Sequence, residues 1–259
     1  MMRTSFQRFA AGFAAVFVCM VLPAHGAPIL NGGFESGFSH WTRADMVGGD
    51  GGFLIQSGTA SPVNGIPVPP PPEGVNAAMT DAQGPGSHVL YQDFVAAEQV
   101  SLATLSFDLF IGNRAVDFFL PAPASLEFAT PELNQQARVD ILLAGGDPFS
   151  VGGDLLLNAF QTQAGDPLVS GYLHVEVDIT SLINANLGAS LRLRFAEVDN
   201  VNIFNFGVDN VAIETIGPIE VPEPAPILLV LAGVAAATLQ RRRALRLSGS
   251  ATPGRPRGA

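Results

Sequence analysis

The chain has 259 residues, of which 47% are hydrophobic and 14% charged, with a formal net charge of −10 and one cysteine. A surface with this acid excess repels phosphates, which excludes nucleic acid as a partner. A single cysteine excludes a disulfide framework.

In chain order, Arg3 and Arg8 come first and precede an uncharged apolar stretch at 9–22. The small residues of Pro23-Ala24-His25-Gly26-Ala27 follow. This is the layout of a secretory signal peptide over 1–26, cut after Gly26, with a cut after Ala27 as the alternative. Val18 stands before Cys19, where a lipoprotein signal needs a small residue, so acylation is not expected. Cleavage leaves no cysteine, and the exported part must rely on its core, on bound ions or on both.

The exported domain is expected over 28–217, long enough for one core. It holds 5 Arg against 21 acidic residues, a balance near −16, which suits divalent cations and neutral glycans. Short β-branched and aromatic runs predict strands at 88–95, 103–110, 137–143, 172–179, 191–195 and 208–213. Leu191-Arg192-Leu193-Arg194-Phe195 alternates most cleanly, with the apolar residues on one face and both arginines on the other. Residues 180–185 predict a single helical turn. Clusters of Gly and Asp at 48–52, 145–148, 152–154 and 165–167 punctuate the runs. The proline-rich stretch 63–72 predicts an exposed polyproline loop that cannot enter a ladder, and Pro121 and Pro123 mark a second break. The pattern predicts an all-β fold: an antiparallel β-sandwich.

Beyond the domain, Val221-Pro222-Glu223-Pro224 leads into an uncharged apolar run at 225–239, which stops at Arg241-Arg242-Arg243. At about 1.5 Å per residue this run is shorter than a hydrocarbon core of about 30 Å. The prolines before it and the arginines after it favour one C-terminal transmembrane helix over a buried one, with the arginines on the cytoplasmic side. A polar tail, 244–259, ends the chain.

This order of motif, apolar helix and arginine cluster resembles the PEP-CTERM sorting signal of Gram-negative bacteria, here over 218–243. The resemblance implies recognition at Pro222-Glu223-Pro224 by an exosortase, removal of the helix, and delivery to the envelope or an extracellular matrix linked to exopolysaccharide and biofilm. Members commonly end soon after the arginines, and the tail 244–259 departs from that.

The domain opens with Leu30-Asn31-Gly32-Gly33-Phe34-Glu35, then Trp41, and closes with Gly207-Val208-Asp209-Asn210-Val211-Ala212-Ile213. The pair resembles the two ends of galactose-binding-like jelly rolls found in carbohydrate-binding modules. That resemblance implies a structural Ca²⁺ between the ends, with Glu35 and Asp209 as side-chain ligands and Asn31 adding an oxygen. Trp41, the only tryptophan, is either a sugar-stacking platform or, more in keeping with its position, a core residue.

Catalysis is not expected. His40, His88 and His174 are isolated from any nucleophile motif, and Gly86-Ser87-His88 is not a nucleophile elbow. No two histidines have metal-ligand spacing, which argues against zinc. With 23 acids, chance carboxylate pairs carry no information about a glycosidase. The expectation is therefore an exported, envelope-sorted structural or adhesive protein of the cell surface. A module that recognises extracellular polysaccharide is the alternative, and a polysaccharide-modifying enzyme comes behind both.

Overall fold

Ten strands and one helical turn account for the regular structure of the computed structural model, which describes residues 29–217. The expected signal peptide (1–26), the sorting segment (218–243) and the tail (244–259) lie outside the described residues. So do Val221, Pro222, Glu223, Pro224 and Arg241, Arg242 and Arg243. Among the described residues no helix is long and apolar enough to cross a membrane.

The strands form two five-stranded sheets, antiparallel throughout. One contains β1 (Thr42–Asp45), β4 (Gly86–Val95), β9 (Ser190–Asp199), β6 (Gln135–Leu143) and β7 (Leu155–Gln161), in that spatial order. The other contains β2 (Gly52–Gln56), β3 (Ala77–Asp81), β10 (Phe204–Ile216), β5 (Leu102–Asn113) and β8 (Leu173–Asp178). The expected antiparallel sandwich is what forms. The turn α1 (Thr180–Ala185) buries Ile183 against the main core.

All six expected strands are present, and several are longer than their apolar runs. Four more, β1, β2, β3 and β7, were not expected. The core lies between the sheets and is aromatic: Phe107 meets Phe195 edge-on, with centroids 5.6 Å apart. Leu191, Leu193 and Phe195 point into it, as the alternation of β9 requires. Arg192 and Arg194 point the other way, yet both are buried. The loop after β6 covers them: Arg192 donates to the Gly146 carbonyl, and Arg194 to those of Pro148 and Ser150. The outer face of this sheet is therefore a second buried layer.

The proline stretch 63–72 departs from a fully exposed loop. Pro67 bridges Ala60, and Val68 is buried against Met79 and Phe110. Its remaining prolines stay outside the sheets, as expected.

The two ends of the domain meet. Gly32 accepts the Val211 N–H at 3.1 Å, and a Cβ on Gly32 would overlap the Val211 carbonyl. Beside this contact β10 bulges between Asp209 and Ala212, with Asn210 in the left-handed region (φ 51°). A bulge re-aims side chains locally, and this one leaves Asp209 wholly buried.

Candidate functional site

The junction of the two ends carries the acids that the sequence singled out. Glu35 Oε1 accepts the N–H groups of Val75 and Asn76 at 2.8 and 2.9 Å. Asp209 accepts those of Asn210 and, at 3.3 Å, Glu73. One loop, 73–76, thus straps both carboxylates. Glu73 brings a third: its Oε2 and Asp209 Oδ1 lie 3.6 and 3.8 Å from where a Cβ of Gly33 would stand. Burial pushes Asp209 up to about 7 against the pull of its two backbone donors, and the charges of Glu73 and Asp108 add to the rise. Asn31 sits at the same junction but faces its own turn. Its Oδ1 accepts from Ser36, and its Nδ2 donates to Gly37 and Ser39. All three expected ligands are thus already held by hydrogen bonds, and among the described residues Glu35, Glu73 and Asp209 do not form a group of acids close enough to share one ion. Glu73 could not be found from sequence, since it lies among prolines far from either end.

Trp41 is 7% exposed and belongs to the core. Its ring packs on Phe34 and Phe195, at 5.3 and 6.0 Å, and its Nε1 donates to the Asn31 carbonyl. Buried in this way, it offers no face for stacking a sugar. Of the two tyrosines, Tyr91 lies under the Arg192 guanidinium at 3.9 Å. Tyr172 is held inside by a bond from its hydroxyl to Gln56.

On the outer side of the β1–β7 sheet, buried charges anchor the covering loop. Arg138 grips both oxygens of Asp140, and Arg194 donates to the same carboxylate. Arg192 pairs with Asp93 through two bonds of 2.7 and 3.0 Å. Beside this layer opens a cleft of about 640 Å³ lined by Asp45, Met46, Val47, Glu127, Asp147 and Phe149. Its carboxylates can accept hydrogen bonds from hydroxyl groups, while Phe149 and the 97% exposed Val47 supply apolar surface.

Two of the histidines, isolated in sequence, are not isolated in space. His174, on the surface, bonds Asp108 at 2.7 Å and Glu176 at 3.4 Å, and these bonds raise its pKa. His88 is buried beside Asp45, Glu197 and Asp199. Burial and the neighbouring charge of Asp199 push Glu197 well above the usual carboxylate range. Burial likewise carries Asp199 up to about 7. Sequence spacing missed this group because its members come from two strands that meet only through pairing.

No protein-family model and no curated protein matches this chain. Solved structures resemble it in outline. The enzymatically active domain of tailspike protein 4 from bacteriophage CBA120 is 11% identical with a TM-score of 0.43, over 73% of this chain and 21% of that one. This chain therefore spans about a fifth of the tailspike domain. The Stig cyclase Fisc from Fischerella sp. TAU is 16% identical with a TM-score of 0.44, over 76% and 100% of the two chains. The family 11 carbohydrate-binding module from Clostridium thermocellum, solved with a mixed-linked tetrasaccharide, is 14% identical with a TM-score of 0.38, over 76% and 99%. Likenesses of this size assign neither ligand nor reaction to this chain.

Proposed function

We propose that this protein is exported, sorted to the cell envelope by an exosortase acting at Pro222-Glu223-Pro224, and serves there as a non-catalytic structural or adhesive component of the exopolysaccharide matrix. The observation that carries the reading is the order of Val221-Pro222-Glu223-Pro224, the apolar run and Arg241-Arg242-Arg243 downstream of a β-sandwich. In this reading the sandwich is a jelly roll of the carbohydrate-binding-module kind, and the helix at 225–239 holds it in the inner membrane until processing. The acidic domain stays hydrated and presents oxygen ligands rather than a phosphate-binding surface. A structural Ca²⁺ at Glu35 and Asp209, with Glu73 beside them, ties the two ends of the domain together.

Polysaccharide contact falls to the open cleft between Asp45, Glu127, Asp147 and Phe149. Co-sedimentation with exopolysaccharide purified from the host tests it. The wild-type protein is retained, and Phe149→Ala reduces retention by about 2- to 10-fold, the range expected for one aromatic contact. Equal retention of both would remove the cleft from the account. Release of reducing ends from the polysaccharide would make it a hydrolase instead.

A further inference from the structure

At one end of the sandwich three side chains that can ligate a metal share the space between the sheets. His88 and Glu197 face each other as directly paired residues of β4 and β9, and Gly86 pairs with Asp199 two positions along. Glu197 and Asp199 continue the inward-facing series of Leu193 and Phe195, so the pleat aims both at the interior. One nitrogen of His88 and one oxygen from each acid lie within 4.8 Å of one another. All three residues are buried, at 1%, 1% and 3% exposure.

The hydrogen bonds around the group leave it incomplete. His88 Nδ1 lies 2.8 Å from Asp45 Oδ1, a contact that places the proton on Nδ1 and the lone pair on Nε2. Nε2 has no partner, and neither has Glu197 Oε1. Asp199 Oδ1 takes the Gly86 N–H at 2.8 Å. A Cβ on Gly86 would overlap His88 Nε2, so glycine there keeps the imidazole edge clear. Among the described residues no arginine pairs with Glu197 or Asp199, the arginine partners being Asp93 and Asp140. Thr80 hydrogen-bonds the Glu197 carboxyl, but Glu197 Oε1 and His88 Nε2 stay buried without a partner, a costly state for polar atoms. A dication answers this arrangement, because it supplies two positive charges to two carboxylates and accepts both free lone pairs.

We propose that His88, Glu197 and Asp199 bind a divalent transition-metal cation of the zinc and manganese class, with Nε2 as the nitrogen ligand and Asp45 orienting the imidazole. An imidazole nitrogen with two carboxylates is a donor set for these ions, whereas calcium takes oxygen alone. The histidine that ligates through one nitrogen while the other is held by a carboxylate is the usual support for such a ligand. Asp199 also lines a surface cleft of about 310 Å³ with Gln83, Gly84, Pro85 and Asn202, which gives an ion a way in. The ion would pin β4 to β9 at the end where the β1–β2 and β3–β4 connections converge.

The test uses the full-length protein, stripped with a chelator and loaded separately with Zn²⁺, Mn²⁺ and Ca²⁺. Elemental analysis is expected to find one equivalent of Zn²⁺ or Mn²⁺ retained in the wild type. X-ray absorption at the zinc edge is expected to show one imidazole in a first shell otherwise made of oxygen. His88→Gln and Glu197→Gln abolish retention, and Asp45→Asn weakens it by about 10- to 100-fold. Glu35→Ala leaves it unchanged, which separates this site from the junction of the domain ends. Because the absorption measurement needs only the wild type, it stands even where a variant fails to fold. No stoichiometric uptake of zinc or manganese, a shell without imidazole, or full retention by folded His88→Gln would overturn the proposal.

Discussion

Asp140 accepts hydrogen bonds from two buried arginines, and neither arginine has water to fall back on. A buried ion pair adds little net stability while intact, but removing one member leaves charge stranded in a dry layer. Asp140→Ala is therefore expected to cost about 3–5 kcal/mol, read as a fall in the urea midpoint. A loss under 1 kcal/mol would show that the arginines reach solvent. These arginines also mark where the sequence misleads at this scale. The alternation in Leu191-Arg192-Leu193-Arg194-Phe195 correctly separates two faces but gives no sign that a loop 46 residues away covers the charged one. Trp41 shows the reverse. Its place after Asn31-Gly32-Gly33-Phe34-Glu35 already favours the core, and the ring lies against Phe34 and Phe195.

Among the elements, the contact between the opening segment and β10 is where a bound ion would have the largest mechanical effect. Gly32 and Val211 are joined by a backbone bond, and Glu35 and Asp209 are both tied to the loop 73–76. With Ca²⁺ at about 100 times its dissociation constant, the native state gains roughly 2.7 kcal/mol, about 5–10 °C for a domain of this size. Chelation should lower the melting temperature by that much, calcium should restore it, and Glu35→Ala should melt at the chelated value with or without calcium. A melting temperature indifferent to calcium would remove the ion from the junction. The strands that the sequence revealed are those with one clear apolar face, such as β9 and β10. The four that it hid have physical reasons to be quiet. β1, Thr-Arg-Ala-Asp, is a short and largely exposed edge, and β7 is an edge with two register shifts against β6. β3, Ala-Ala-Met-Thr-Asp, is buried on both faces by small residues and shows no alternation, while β2 emerges directly from a run of glycines. The acids at the junction were legible because both ends carry recognisable patterns. The His88 group was not, because strand pairing alone assembles it.

For the whole molecule, the sandwich and the address belong to different parts of the chain and answer to different physics. The domain holds 5 Arg against 21 acids, and most of those arginines are engaged with carboxylates or carbonyls in the fold. Its outward character is therefore acidic, which fits a hydrated, cation-rich matrix. The proposed address is read from order alone: a proline-flanked glutamate, an uncharged apolar run shorter than a full span, and three arginines that the positive-inside rule would keep cytoplasmic. Under the proposed function the run at 225–239 would be a temporary anchor, and processing at the motif would turn a membrane-held sandwich into a matrix component. The most direct measurement is the intact mass of the protein recovered from envelope and culture fractions of its native host, for the wild type and for Glu223→Ala. The account predicts a wild-type mass that begins after Gly26 or Ala27 and ends between Glu220 and Pro224, with Glu223→Ala held at full mature length in the inner membrane. A wild-type mass that retains residues 225–259 would contradict it.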